Sequence, residues 1–287
     1  MTKQEFHKII FSYFNKEGRV FPWRETADPY KIWLSEVMLQ QTQTSRVVEK
    51  YKEFVKAFPK VSDLANAPLS KVLAMWQGLG YSRRAKNMKR AAAVVATTYK
   101  GKFPLDLEKL DELPGVGPYT ARAIYTFATD NPEVFIETNI RSVFIHFFFS
   151  SHHPRRKASD PSSGRRGELI SDQAILKKIQ ETLPKNNFRN WYYALMDYGV
   201  YLKKTYGRKL NEKSKHYKKQ SKFEGSGRQV RSGILKAVVS SEKGVSVAEL
   251  TKQLPYETIK IKEKIGELLA ENFIEKRKNR FFVKNGS

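Results

Sequence analysis

The 287-residue sequence contains no cysteine. It can therefore form no disulfide, and it cannot hold an iron–sulfur cluster through thiolates. Its five histidines are also few, and the adjacent pair His152 and His153 would by itself make a poor metal site. We expect a protein without a metal and without a cofactor.

Acidic residues are scarce relative to basic ones. The chain has 53 Lys and Arg against 29 Asp and Glu, which gives a formal net charge of +24 at pH 7. A surplus of this size repels itself in a compact protein unless a polyanion binds it. Nucleic acid is the favoured partner, and an anionic membrane surface is the second choice.

Long hydrophobic runs are missing as well. No apolar segment approaches the roughly 20 residues that a transmembrane helix needs. Residues 1–18 are polar and amphipathic, unlike a signal peptide. We expect a cytoplasmic protein, associated with the nucleoid, that is monomeric and has no membrane partner.

Most of the chain has the periodicity of α-helices. Almost nothing between Trp33 and Phe127 alternates as a strand does, which predicts an all-α bundle. Helices are predicted over Tyr30–Val48 and Arg84–Tyr99, and a buried helix over Phe135–Phe149. The segment Ser150–Glu168 is rich in Ser, Pro, Gly and Arg, which predicts a mobile loop.

The pattern changes towards the C-terminus. Residues 229–287 read as three helices followed by a short hairpin around Lys278-Asn279-Arg280, the element order of a winged helix. Such modules bind DNA or other proteins, and the sequence does not decide between these uses. The preceding basic segment, 201–228, is either a linker or a DNA-binding surface.

A turn between two helical segments is the most informative local feature. Leu113–Arg122 reads LPGVGPYTAR, and its glycines, Gly115 and Gly117, allow positive φ and close backbone approach. Pro118 suits the first turn of the second helix. The stretch predicts a helix-hairpin-helix whose backbone amides bind a phosphate oxygen. A simple tight turn between two helices is the alternative.

Three motifs together resemble one family. They are WLSEVMLQQTQ at 33–43, GLGY at 78–81 and LPGVGPYTA at 113–121. Over about residues 21–198 the chain resembles the MutY adenine DNA glycosylases of the helix-hairpin-helix superfamily. The resemblance implies flipping of a base out of a mispaired duplex, hydrolysis of its N-glycosidic bond, and an abasic product.

Two glutamates fit the chemistry of that reaction. Adenine leaves readily only when a ring nitrogen is protonated, so the enzyme needs an acid in an apolar pocket; Glu36, beside Trp33 and Val37, is the candidate, with a raised pKa expected. A second carboxylate would stabilise the sugar cation. Glu137 is the candidate, although the family has Asp there, and Asp197 is the next choice if Glu137 fails.

The resemblance also implies roles for other residues. Tyr119 stands where bifunctional relatives have a lysine, so no Schiff base with the sugar is expected. Tyr119 and Asn139 would hydrogen-bond the catalytic carboxylate and the intermediate. Gln40, Gln41 and Tyr81 would enter the duplex. Further DNA contacts are expected from Gln43, Gly115, Gly117, Thr120, Arg24, Arg83, Lys213 and Lys219.

Two departures from the family stand out. Four cysteines usually follow a Met-Asp-x-Gly segment, here 196–199, and Lys203, Leu210, Lys213 and Lys219 stand roughly in their places. We expect the basic region 203–222 to be loosely ordered without DNA and to settle along phosphates when bound. The family's C-terminal Nudix-like domain is replaced by the predicted winged helix, which leaves the opposite-base specificity open.

The expected architecture is therefore an all-α glycosylase fold with two helical domains and a winged helix. A six-helix domain would span 25–130, an outer helical domain 1–24 and 131–200, and the winged helix 229–287. The substrate expected is adenine mispaired with 8-oxoguanine or guanine. A mismatch thymine or deaminated-purine glycosylase, or a catalytically weak lesion-binding protein, remains an alternative.

Overall fold

The computed structural model describes residues 1–150, 169–207, 210–217 and 222–285. Apart from its first residue, the predicted loop Ser150–Glu168 lies outside the described residues. The all-α prediction is confirmed, since helices account for nearly all regular structure in the described ranges. The helices are α1 (Lys3–Glu17), α2 (Pro29–Leu39), α3 (Thr44–Ala57), α4 (Val61–Asn66), α5 (Leu69–Trp76), α6 (Arg83–Thr97), α7 (Leu107–Asp111), α8 (Pro118–Thr129), α9 (Thr138–Phe144), α10 (Asp172–Thr182), α11 (Phe188–Tyr206), α12 (Gly227–Val239), α13 (Val247–Gln253) and α14 (Thr258–Ala270).

The chain forms two compact units whose limits differ from the expected domains. The first unit contains 1–32, 105–111 and 117–219, and the second contains 33–104, 112–116 and 220–287. The division falls inside α2 and inside the hairpin. The C-terminal segment groups with 33–104 because α12 packs against α5 and because Arg83 and Lys86 of α6 bind the end of α14.

An aromatic cluster forms the core of the first unit. Phe6 of α1 is fully buried and contacts the rings of Phe144, Phe147 and Trp191 edge-on, with centroids 5.2 to 5.5 Å apart. Edge-to-face pairs of this kind add to the stabilisation from apolar burial. The predicted helix Phe135–Phe149 is shorter than expected: α9 begins at Thr138, and 145–149 continue as a π-helical turn.

A buried ion cluster ties the chain's N-terminal region to α11. Arg24 donates from both terminal nitrogens to the Asp197 carboxylate at 2.8 Å, and Arg19 donates to it from its backbone amide and its Nε, also at 2.8 Å. Burial alone would raise the pKa of Asp197, but hydrogen bonds and charges from Arg24 and Arg19 outweigh it and lower that pKa.

The second unit corrects one predicted helix. Tyr30–Val48 was expected to be continuous, but α2 ends at Leu39 and α3 begins at Thr44. Gln41 lies between them in the left-handed region, with φ of 54°. The apolar period runs on past this point, so the break is not visible in the sequence pattern.

The C-terminal segment has the predicted order of elements. Helices α12, α13 and α14 are followed by strands β1 (Ile274–Arg277) and β2 (Arg280–Val283), which pair antiparallel with Arg277 opposite Arg280. Lys278 takes the positive φ of the turn, 52°. We call residues 227–285 the C-terminal module. Among the described residues, none of the helices combines the length and apolar character that crossing a bilayer requires.

Asp197→Asn should destabilise the protein by about 3 to 5 kcal/mol, because two arginines would then lose a buried partner. The lowered pKa adds a pH signature: the stabilisation is present above the ordinary aspartate pKa and is lost as pH falls through the folded-state pKa. Urea unfolding at pH 7 and at pH 3 measures both effects. The parent should lose part of this contribution at pH 3, whereas the variant should lack it at both pH values.

Glu181→Gln is the matched control, because Glu181 pairs with Lys178 at 2.7 Å on the surface of the same unit. An exposed pair of this kind contributes about 1 kcal/mol at most. Equal losses of stability in the two variants would contradict a structural role for the Asp197 cluster.

Candidate active site

The hairpin turn rests on α6. Gly115 has φ of +81°, and a Cβ there would meet the Cβ of Asn87 at 2.8 Å, so both the backbone conformation and the packing require glycine. Gly117 differs from the expectation: its φ is −121°, and it is the N-cap of α8. Among the described residues, no atom beyond Gly117 and its two chain neighbours lies within 4 Å of a Cβ built there, so the space beside Gly117 is open.

The predicted acid lies on the buried helix α2. Glu36 is 8% exposed, and its neighbours Trp33, Val37 and Met38 are buried too. Glu36 is thus withdrawn from solvent. The raised pKa expected for this glutamate stays a prediction.

A single guanidinium joins the end of α2 to the loop that carries Tyr81. Arg84 of α6 donates through Nη1 to the carbonyls of Val37 and Met38, at 2.7 and 2.8 Å. Through Nη2 it donates to Thr42 Oγ1 at 2.8 Å and to the carbonyls of Leu79 and Gly80, at 3.0 and 3.1 Å. These carbonyls belong to the C-terminal end of a helix and to a turn, where a cation is favourable.

Burial of Arg84 has an electrostatic cost, since desolvation lowers its pKa to about 10. The guanidinium nevertheless remains charged at neutral pH. It makes cation–π contacts with Trp76 and Tyr81, whose ring centroids lie 5.1 and 5.9 Å from Cζ. Arg84 was not singled out from the sequence, because its partners are up to 47 residues away.

The loop at 78–81 is held in an unusual backbone conformation. Gly78, Gly80 and Tyr81 all have positive φ, and Trp76 Nε1 donates to the Gly80 carbonyl at 2.9 Å. Thr42 Oγ1 donates to the Leu79 carbonyl at 3.1 Å, which links this loop to the turn at 40–43. The structure therefore brings together the predicted wedge residues Gln40, Gln41 and Tyr81, along with Gln43 at the start of α3.

In the first unit, Glu137 is the N-cap of α9. Its Oε1 accepts from the amides of Asn139 and Ile140, both at 2.8 Å, and its Oε2 accepts from Asn139 Nδ2 at 3.1 Å. Burial raises the pKa of Glu137, while the amide donors and the charge of Arg141 oppose that rise. The additional methylene of glutamate is accommodated by turning the carboxylate back onto its own helix.

Asn139 is fixed by close helix packing. A Cβ at Gly199 of α11 would lie 2.3 Å from the Asn139 carbonyl oxygen, so only glycine permits this approach. Tyr119 is half-buried and meets the ring of Phe135 edge-on, with centroids 5.7 Å apart. Both residues that were expected to assist the second carboxylate thus lie in the same unit as Glu137.

Several other predicted DNA contacts have different environments. The Arg24 guanidinium is 9% exposed and bound to Asp197, so it serves the fold and does not face DNA. The same cluster gives Asp197 a structural role. Arg83 is exposed, but its Nε and Nη2 donate to the carboxylate of Glu271. Thr120 is buried within α8. Lys219 lies outside the described residues.

The described part of the basic region is not loosely ordered. Leu210, Asn211 and Ser214 are buried, and Ser142 Oγ of α9 donates to Asn211 Oδ1 at 3.0 Å. The Lys213 carbonyl accepts from the Ile170 amide at 2.8 Å. Polypeptide contacts therefore fix residues 210–217 against the first unit.

Comparison with known proteins places this arrangement in a family. Residues 34–163 match the model of the HhH-GPD superfamily of base excision DNA repair proteins. Proteins named adenine DNA glycosylase are 36% identical over 192 residues in Mycobacterium tuberculosis H37Rv and 31% over 205 residues in Buchnera aphidicola of Acyrthosiphon pisum. Residues 34–163 thus form an HhH-GPD domain, and the chain is MutY-like.

The match does not extend over the whole of these relatives. The Mycobacterium alignment covers 67% of this chain and 59% of the relative, and the Buchnera alignment covers 70% and 54%. The human adenine DNA glycosylase is 35% identical over 177 residues, which is 58% of this chain and 30% of the human protein. The chain thus spans little more than half the length of the bacterial relatives.

Solved structures of this superfamily share the fold. A thermostable thymine-DNA glycosylase superposes with a TM-score of 0.58 at 26% identity, covering 69% of this chain and 86% of that chain. A non-covalent endonuclease III–DNA complex gives 0.54 at 19% identity, covering 70% and 87%. The second likeness shows the fold alone.

The iron–sulfur cluster implied by the MutY resemblance does not fit this chain. No thiolate is available anywhere in the sequence, and where cysteines would stand, Leu210 is buried and Lys213 hydrogen-bonds Ile170 through its carbonyl. In the part of the chain that the structure describes, no group of three or more His, Cys, Asp or Glu could hold a metal ion. In this MutY-like chain, residues 210–217 are held by contacts with other parts of the polypeptide.

Arg84→Lys should cost about 3 kcal/mol of unfolding free energy, because an ammonium cannot serve two helix-end carbonyls, Thr42 and the Leu79–Gly80 carbonyls together. Chemical denaturation measures the loss. Lys89→Met is the control on the same helix, since Lys89 Nζ donates to the single carbonyl of Ala65, at 2.9 Å. That variant should lose about 1 kcal/mol. An Arg84→Lys variant as stable as the parent would show that the Arg84 bonds are dispensable.

Proposed function

We propose that this protein is a monofunctional DNA glycosylase of base excision repair that flips adenine, mispaired with 8-oxoguanine or guanine, and removes it by hydrolysis. One observation carries the proposal. Glu36 is buried on α2, and Arg84 hydrogen-bonds both the end of α2 and the loop that contains the partly exposed Tyr81. The relatives named adenine DNA glycosylase support the same reaction.

Glu36 acts as the general acid. Protonation of a ring nitrogen turns adenine into a better leaving group, and a carboxyl that donates this proton must be neutral when the base arrives. Burial on α2 provides that environment. The bond to the sugar then breaks with its electrons moving to the base, and positive charge develops on the sugar.

Glu137 stabilises the sugar cation. Its carboxylate has two oxygens with about four acceptor positions, of which three are engaged by α9 and Asn139. These donors fix its orientation before the reaction begins, which is how preorganised charge lowers a barrier. Water then completes the hydrolysis. Tyr119 offers no amine for a Schiff base, so strand cleavage is not expected.

The duplex is bound mainly through its phosphates. The open space beside Gly117 allows a phosphate to approach the N-terminus of α8, and the net charge of +24 favours a polyanion throughout. Gln40, Gln41 and Tyr81 enter the base stack and offset the few kcal/mol that flipping costs. We propose that the protein acts as a monomer on the DNA of the nucleoid.

Four duplexes test the proposal: A opposite 8-oxoguanine, A opposite G, T opposite G, and hypoxanthine opposite C. Single-turnover base release should occur from the first two and be slow from the others. Glu36→Gln should abolish release while leaving binding nearly unchanged, because it removes a proton donor and little volume. Release of thymine alone would establish the thymine-glycosylase alternative, and parental rates in Glu36→Gln would remove Glu36 from the mechanism.

Glu137 variants separate the charge of the carboxylate from its capping role. Glu137→Ala should be inactive and should also lose about 1 kcal/mol of stability with its N-cap. Glu137→Asn is the matched control, because it can cap α9 without a charge; it should be folded and inactive. Glu137→Asp should retain excision. Parental single-turnover rates in Glu137→Asn would contradict electrostatic stabilisation by this residue and favour a purely capping role.

A further inference from the structure

The C-terminal module is attached to α6 by a set of charged contacts. Glu271, at the end of α14, accepts from Arg83 at 2.6 and 2.9 Å and from Arg231 of α12 at 2.8 and 3.0 Å. These hydrogen bonds lower the pKa of Glu271 to about 2, with Arg83 contributing most. Lys86 Nζ donates to the backbone carbonyls of Glu271 and Asn272.

This attachment brings one cation of the module to the Tyr81 loop. Arg228, near the start of α12, donates through Nη1 to Tyr81 Oη at 2.5 Å, and its Cζ lies 5.6 Å from the centre of the Tyr81 ring. Arg84 lies 5.9 Å from the same centre. Tyr81 is therefore contacted by one arginine of its own loop region and by a second from a segment nearly 150 residues further along the chain.

The attachment has contacts besides those of Arg228. Arg83, Lys86 and Arg231 contact the end of α14, and Arg228 contacts Tyr81 and, at 3.3 Å, the Lys222 carbonyl. Tyr81 itself has a positive φ, of 48°, which is uncommon for a residue other than glycine. A residue that restrains the ring through its hydroxyl reduces the entropy lost when the ring enters DNA.

We propose that Arg228 is a positioning residue, which the docked C-terminal module supplies to hold Tyr81 in the orientation that enters the duplex. The inference rests on the proposed function only in that the partner is duplex DNA. The C-terminal module would thereby contribute a residue to the proposed DNA-binding site. Loss of Arg228 should weaken insertion of Tyr81 without changing the stability of the fold.

Insertion can be measured without base release. A duplex carries a target adenosine with a 2′-fluoro sugar, which disfavours the sugar cation, and 2-aminopurine in the other strand beside the base opposite the target. Unstacking by Tyr81 raises the fluorescence of 2-aminopurine. Arg228→Ala and Tyr81→Phe, which removes only the hydroxyl, should each lower the equilibrium constant for Tyr81 insertion, measured by this fluorescence, about fivefold. The double variant should be no weaker than either single one.

Two further variants define the control and the dependence on docking. Lys236→Ala removes an exposed cation from the same helix and should behave like the parent. Glu271→Gln weakens the attachment and should reproduce the Arg228→Ala effect. Additive losses in the double variant, or an Arg228→Ala variant equal to the parent, would overturn the proposal. A coupled fluorescence response, together with no adenine release from the same duplex without the 2′-fluoro group, would instead overturn the proposed reaction and leave the role of Arg228 standing.

Discussion

The hydrogen bonds of the buried Arg84 guanidinium hold the segments of the second unit that carry candidate site residues. It has no carboxylate partner among its described contacts; it donates to carbonyls at the end of α2, to Thr42, and to the carbonyls of Leu79 and Gly80. A buried cation is costly unless it is hydrogen-bonded, and both terminal nitrogens of Arg84 are, although its buried Nε has no partner among the described residues. The bonds of the terminal nitrogens fix those segments relative to one another. The helix with Glu36 and the loop with Tyr81 are thereby held as one piece.

The two units use buried charge in different ways. In the first unit, Asp197 is the acceptor for Arg19 and Arg24, and residues 210–217 close against α9 without any metal ligand. In the second unit, α6 supplies the donors: Arg84 faces the wedge loops, while Arg83 and Lys86 hold the C-terminal module. Each unit thus has one carboxylate that accepts from two arginines, Asp197 in the first unit and Glu271 in the second.

Periodicity predicted the helices well where one face is clearly apolar. Helix α6 spans Arg83–Thr97, close to the Arg84–Tyr99 expected. The break at 40–43 was missed because the apolar pattern continues across it and its cause, Arg84, is distant in sequence. For the same reason Arg24 was assigned to DNA, since its partner Asp197 lies 173 residues away. The sequence motifs located Glu36 and Tyr81. They did not show that the Glu137 carboxylate caps its own helix, α9, because this depends on the local backbone conformation.

Hydrogen–deuterium exchange on Arg84→Lys tests the central claim most directly, because amide protection reports local opening. If Arg84 holds both turns, peptides covering 40–44 and 78–83 should lose protection together, while the interior of α3, around Val47–Phe54, should keep its protection. Faster exchange in one of the two turns only, or unchanged exchange in both, would contradict the account.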